Sequence, residues 1–324
     1  MKELIRHTLR GILFLGLLGG MLLGLNCLFR PKDNTEAAGF HYPWASGYLA
    51  EPEDTIDVLI LGDSEVYADF IPLQIWQEQG ITVYTCGTSD QKLYQTEEYL
   101  RTALETQSPK IVILETNILY RDYSRTDTIP QKLEELLPLL RYHDRWKRLG
   151  LRDLSPRVRY TGIQRDKGYH FYWEAQTADT RGYMEERGES APFPVKNAPL
   201  VRKLLARCQE HGARLMLVSA PSTVNWSDAR HDSVQTLARE LGIPYLDMNL
   251  LPGEVPIDWR QDSYDGGDHM NYRGARKVSA CLGQYLAETG LFEDKRADPD
   301  YAAWHRCLES FLREHPETEG TAGN

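Results

Sequence analysis

The chain has 324 residues, 41% hydrophobic and 26% charged, with a formal net charge of -10. That length supplies one sizeable core with an elaboration, not three independent domains. The acidic balance argues against nucleic-acid binding, which relies on Lys and Arg displacing counterions, and five scattered cysteines without C-x-x-C spacing argue against a zinc site or a dense disulfide framework.

At the N-terminus, Lys2, Arg6 and Arg10 precede an uncharged apolar run over residues 11–29. At 1.5 Å per helical residue, such a run just crosses a hydrocarbon core of roughly 30 Å. A cleaved signal has a shorter apolar stretch, about 7–15 residues, followed by a small-x-small site. No such site follows Leu28, and Gly24-Leu-Asn-Cys27 is a poor lipoprotein signal. Residues 1–30 are therefore expected to form a retained signal anchor, a single transmembrane helix. The basic residues before the span, against only Arg30 and Lys32 close after it, favour a cytoplasmic N-terminus with the remaining chain outside the cell membrane. Residues 31–53, rich in Pro, Gly and polar side chains, read as a linker.

From residue 54 the pattern changes. Short β-branched runs at 57–61, 81–85, 110–115, 213–219 and 243–247 read as strands, and amphipathic stretches at 72–79, 91–105, 199–211 and 227–241 read as helices between them. The alternation predicts an α/β fold with a mostly parallel five-stranded sheet and helices on both faces. Ligands then bind beyond the carboxyl ends of the strands. One domain is expected over 54–316, with an insertion at about 118–195 that is too long for a plain loop and holds a helix within 131–149. Its aromatics Tyr160, Tyr169, Phe171, Tyr172 and Trp173 either offer ring faces to a sugar or pack the insertion onto the core, the commoner use of such rings. Arg145 either meets an anionic substrate or pairs at the surface with Asp144 or Glu135. Further helices are expected at 275–289 and 301–314, and a disordered tail over 317–324. Cys86, Cys208, Cys281 and Cys307 read as isolated thiols.

Gly62-Asp63-Ser64 directly follows the first strand, where a serine exposes its hydroxyl and its own N–H at the strand end. Alone, Gly-Asp-Ser is common turn chemistry, and a nucleophile needs a base. The best candidate is His269, after the carboxylate-rich turn Asp262-Ser-Tyr-Asp265-Gly-Gly-Asp268 and before the last core helix. A carboxylate there can hold the imidazole tautomer and stabilise the imidazolium. Asp265 is favoured over Asp268, because adjacent side chains rarely fold back onto one another's ring. His7, His41, His211, His231 and His305 lack a matching carboxylate turn or lie outside the domain, and read as solvated or structural. No motif calls for a metal or cofactor.

These residues together resemble the SGNH, or GDSL-type, hydrolase superfamily, over roughly residues 57–286. The resemblance implies a flavodoxin-like three-layer sandwich with Ser64 as nucleophile and His269 as base. It also implies an oxyanion hole made by the Ser64 and Gly87 N–H groups and the Asn117 side-chain amide. Two departures stand out: Asp265 lies four residues before His269 where the family has Asp-x-x-His, and Glu115-Thr-Asn117-Ile replaces Gly-x-Asn-Asp. With its anchor, the chain looks like the membrane-anchored SGNH proteins of bacterial envelopes that serve teichoic-acid D-alanylation or polysaccharide O-acetylation beside membrane-bound O-acyltransferases. The expected function is a serine-dependent esterase or O-acyltransferase acting on acylated cell-envelope carbohydrate through an acyl-enzyme on Ser64. The alternative is a catalytically silent domain that binds polysaccharide or scaffolds an O-acylation complex.

Overall fold

The computed structural model describes residues 1–186, 188 and 190–316, so the tail expected from 317 lies outside the described residues. Along β1 (Val58–Gly62) every position is buried, and successive side chains enter two different cores: Val58 and Ile60 one, Leu59 and Leu61 the other. The same period of two, set by strand geometry, recurs in β3 (Ile111–Glu115) and β4 (Arg214–Ser219), where Ile113 and Val218 face the first core and Leu114 and Leu217 the second. A strand apolar on both faces can only be satisfied with a helical layer on each side.

β2 (Val83–Gly87) and β5 (Tyr245–Asp247) flank these strands in the order β2-β1-β3-β4-β5, with every pairing parallel. This is a flavodoxin-like order, whose ligand crevice opens where the sequence order reverses, beside the ends of β1 and β3. Among the described residues the α-helices are α1 (Lys2–Phe29), α2 (Ser64–Asp69), α3 (Pro72–Gln79), α4 (Leu93–Ala103), α5 (Thr128–Leu136), α6 (Pro138–Arg141), α7 (Asn197–Glu210), α8 (Asp228–Leu241), α9 (Tyr272–Glu288) and α10 (Ala302–Glu314). Trp76 of α3, Leu282 of α9 and Trp304 of α10 fill the first core; Leu100 of α4, Val201 of α7 and Val234 of α8 fill the second. Each buried side chain of this size contributes about 1.5–3 kcal/mol relative to exposure.

Differences from the sequence reading have local causes. β5 begins at Tyr245 because Pro244 offers no N–H to the ladder. α9 begins three residues early because Asn271 caps it, accepting from the N–H groups of Arg273 and Gly274. The helix expected within 131–149 is broken into α5 and α6, with Pro138 opening the second.

The chain divides into two units, Met1–Pro43 with Ser124–Gly162, and Trp44–Tyr123 with the residues from Ile163 onward. The segments read as linker and insertion are thus each shared between the units. The second unit holds the sheet. In the first, α1 is one continuous helix with no buried residue and is long and apolar enough to cross a membrane. Arg145 lies buried in this unit and does neither of the things expected of it. Its Nε donates to Ala38 O (2.6 Å) and its Nη1 to Phe29 O (2.5 Å) at the end of α1, while Nη2 pairs with Asp153 (2.7 Å). Carbonyls left open at a helix C-terminus attract such a cation.

Candidate active site

The end of β1 is built for close approach. A Cβ on Gly62 would lie 2.5 Å from Val66 Cγ2 and 2.9 Å from Glu115 Cβ, and one on Gly87 at the end of β2 would lie 2.4 Å from the Asp63 carbonyl. Only glycine lets the two strand ends close around the turn that starts α2. Asp63 caps that helix, its Oδ1 accepting from the Glu65 N–H (3.4 Å), and Ser64 is its first residue. Ser64 is 7% exposed, and its Oγ lies 2.7 Å from His269 Nε2.

On the other side of the ring, His269 Nδ1 lies 2.6 Å from Asp265 Oδ2, and the His269 backbone N–H donates to Asp265 Oδ1 (2.9 Å). One carboxylate thus fixes both the ring and the backbone of the base. The four-residue spacing works because Gly266 (φ +83°) and Gly267 (φ +105°) both take left-handed backbone, which turns residue 265 back over residue 269. Ser263 holds this turn, its Oγ accepting from the Gly267 N–H (2.7 Å). Asp268 points elsewhere: its nearer oxygen is 3.8 Å from His269 Nδ1, and its Oδ1 accepts from Asn225 Nδ2.

Burial opposes charge on His269, yet the hydrogen bond it donates to Asp265 and the fields of Asp69, Asp268 and Asp265 outweigh it and push the imidazole up to about 9. Burial would likewise raise Asp265, but the hydrogen bonds from the His269 ring and N–H hold it below the usual carboxylate range. Asp268 is raised by burial, with the field of Asp265 adding to it.

Asn117 follows β3, beside the Ser64 turn. Its Nδ2 donates to Asp63 Oδ2 (3.2 Å) and its Oδ1 accepts from Arg230 Nη1 (3.3 Å), so the amide is tied to the helix cap. Asp63 Oδ2 also accepts from Arg121 Nε (2.6 Å). Behind the nucleophile, Asp63, Glu65 and Glu115 approach closely enough to hold a cation. Their positions are already served: Arg121 on Asp63, Asn225 Nδ2 on Glu65 (2.9 Å) and the Asn117 N–H on Glu115 (3.0 Å). Burial and the field of Asp63 push Glu115 up to about 8, while burial and the neighbouring Glu115 and Asp63 carboxylates push Glu65 well upward.

Three features escaped the sequence reading. Asp69, fully buried at the end of α2, accepts the Met270 N–H at Oδ1 (2.8 Å), so the nucleophile's own helix pins the chain just after the base. No sequence signal marks it beyond its position five residues after Ser64. His231, read as lacking a carboxylate, lies 2.8 Å from Asp247 Oδ2. The first turn of α8 meets the end of β5 only in the fold. Last, rings surround the triad: Tyr172 stacks on Tyr264 (4.0 Å), whose ring lies 5.7 Å from His269, and His170 packs between Tyr67 and Trp44. Of the insertion's aromatics, Tyr169, Phe171 and Trp173 pack on the first core, the commoner use of such rings, whereas Tyr172 stacks on Tyr264, the ring next to His269.

No protein-family model matches the chain, and no curated protein matches it. Solved structures similar to it include a lipase/acylhydrolase from Enterococcus faecalis (10% identity, 75% of this chain and 100% of that one, TM-score 0.40) and an acetyl xylan esterase (12%, 72% and 99%, 0.38). A GDSL-like lipase from Bacteroides thetaiotaomicron VPI-5482 is another (12%, 72% and 88%, 0.35). At such identities and TM-scores the likeness adds nothing on activity or substrate beyond the site's own geometry.

Proposed function

We propose that the protein is a serine esterase or O-acyltransferase that acts on acylated cell-envelope carbohydrate, held at the membrane by α1 with its catalytic unit outside the cell. The observation that carries the catalytic part is the unbroken relay from Ser64 Oγ to His269 Nε2 (2.7 Å) and from His269 Nδ1 to Asp265 (2.6 Å). Ser64 Oγ attacks the ester carbonyl while its proton passes to Nε2, and Asp265 stabilises the resulting imidazolium. The oxyanion is received by the Ser64 N–H, with the Gly87 N–H and the second hydrogen of Asn117 Nδ2, whose first is held by Asp63, as further donors. Collapse expels the alcohol, which takes the proton from Nε2, and leaves an acyl-enzyme. Water or a sugar hydroxyl then gives its proton to Nε2, attacks the acyl carbon and restores Ser64.

The carbohydrate assignment draws on the anchor and the flanking rings of Tyr67, Tyr172 and Tyr264. A membrane-bound O-acyltransferase is the natural partner for transfer. The rival reading, a silent binding module, needs Ser64 and His269 out of reach of one another, which a 2.7 Å separation disfavours. A fluorophosphonate probe should label Ser64 in the wild type and not in Ser64→Ala or His269→Ala; an unlabelled wild type would remove the catalytic reading. Incubation with acetyl and longer acyl esters, with and without oligosaccharide, then separates free acid from acylated sugar, and so hydrolysis from transfer.

A further inference from the structure

The first unit carries a set of exposed apolar side chains that its own packing leaves uncovered. Leu133 and Leu136 of α5 lie on one helix face, Leu140 follows on α6, and Trp146, Leu151 and Leu154 occupy the turns beyond. Leu136 is 75% exposed, Leu151 88%, Leu154 69% and Trp146 63%. Patches of this kind mark an interaction surface.

Their neighbour identifies the occupant. α6 and the turns His143–Lys147 and Leu151–Leu154 pack against α1, and α5 packs against α6. On α1, Leu18, Leu22, Leu25 and Phe29 fall on one helix face and are half-buried, as are Asn26, Cys27 and Leu28 in the last turn, whereas Met21, Leu23 and Gly24 stay exposed. The Leu139 N–H donates to Asn26 Oδ1 (3.1 Å), and Arg145 clasps the Phe29 carbonyl (2.5 Å), so these elements are tied to the last turns of α1. Leu18 lies eleven residues before Phe29, about 16 Å along the helix axis, or about half of a roughly 30 Å hydrocarbon core. With α1 in a bilayer, the elements packed along its final turns sit at the level of the outer leaflet. The charge pattern agrees: residues 128–160 hold eight Lys or Arg against four Asp or Glu, in a chain with 37 basic and 47 acidic residues. Lys132, Lys147, Arg148, Arg152, Arg157 and Arg159 are all exposed among or just after the apolar side chains.

We propose that residues 128–154 form an amphipathic collar that embeds in the outer leaflet around the end of α1, its apolar side chains among acyl chains and its basic side chains on anionic headgroups. The collar rests on the reading of α1 as a membrane span. It enlarges the attachment from a tethering helix to a seated surface.

The test uses the full chain in vesicles of phosphatidylcholine with phosphatidylglycerol, carrying a photoreactive benzoylphenylalanine in place of Leu15, Leu136 or Leu151, one at a time. These positions are exposed, so folding is retained, which circular dichroism checks. Expected are lipid adducts by mass spectrometry at all three positions, with the yield at Leu136 and Leu151 reduced at least threefold when phosphatidylglycerol is omitted. Adducts at Leu15 alone, or cross-links from Leu136 and Leu151 to a second copy or to another protein, overturn the collar and leave the span. No adduct at Leu15 overturns the span and the collar with it. A yield that ignores phosphatidylglycerol overturns the headgroup contact.

Discussion

Asp265 and Asp268 both lie beside His269, and their substitutions should separate their roles. Asp265→Asn removes the group that holds ring and backbone together (2.6 and 2.9 Å). A fall in kcat of about 10³–10⁴-fold on a soluble aryl ester is expected, as for loss of a triad carboxylate. Asp268→Asn should cost less than about tenfold, since Asp268 engages Asn225 and not the ring. Equal losses in steady-state assays would reverse the assignment. The pH profile follows from the same geometry. A base must be neutral to take the Ser64 proton, and carboxylates overcoming the burial of His269 push it up to about 9. The kcat/KM should therefore rise with pH with its midpoint near 9, and in Asp265→Asn the limb should move down towards the ordinary histidine value of about 6.5. Ser64 was readable from sequence at the end of a strand, and His269 after a carboxylate-rich turn before the last core helix. The choice between the two aspartates turned on the positive φ of Gly266 and Gly267, which spacing alone does not specify.

At the scale of elements, the alternation of apolar runs made the sheet legible, because a strand buried on both faces writes itself as an unbroken hydrophobic run. The short α2 was not legible: its six residues are too few to show a period, and its start is fixed by the Asp63 cap. Yet α2 joins the two halves of the candidate site, with Ser64 at one end and Asp69 at the other. Asp69→Ala leaves the buried Met270 N–H without its acceptor. The expected cost is about 1–3 kcal/mol of stability. The release of the His269 loop should lower kcat more than it raises KM, and Asp69→Asn, which keeps an oxygen in place, should recover most of the stability while shifting the pH limb downward. Denaturant melts and pH–rate profiles of the two variants check this; an unmoved limb in Asp69→Asn would confine Asp69 to packing. The division of the 118–195 segment between two units was equally hidden, since the contacts of Arg145 with the end of α1 join residues more than a hundred apart in sequence.

For the whole molecule, the buried titratable groups of the candidate site set stability and the expected activity against one another along the pH axis. Glu115, buried against Glu65 and Asp63, is pushed up to about 8, and His269 to about 9. Each binds its proton more tightly folded than unfolded, where the ordinary values are about 4.3 and 6.5. Between about pH 4.3 and 8 for Glu115, and between about 6.5 and 9 for His269, the folded state therefore holds more protons than the unfolded one, and stability falls as pH rises. The melting temperature should decline from about pH 6 to 9 across the range in which kcat/KM climbs. Glu115→Gln keeps the shape of the buried glutamate without its titration, so it should flatten the decline over the lower part of that range while leaving the rate limb near 9 in place. Thermal melts of both proteins at half-unit pH steps test this directly. A wild-type melting temperature that holds level or rises from pH 6 to 8 would show that Glu115 is ionised in the fold, with Arg121 and Arg230 supplying the compensating charge.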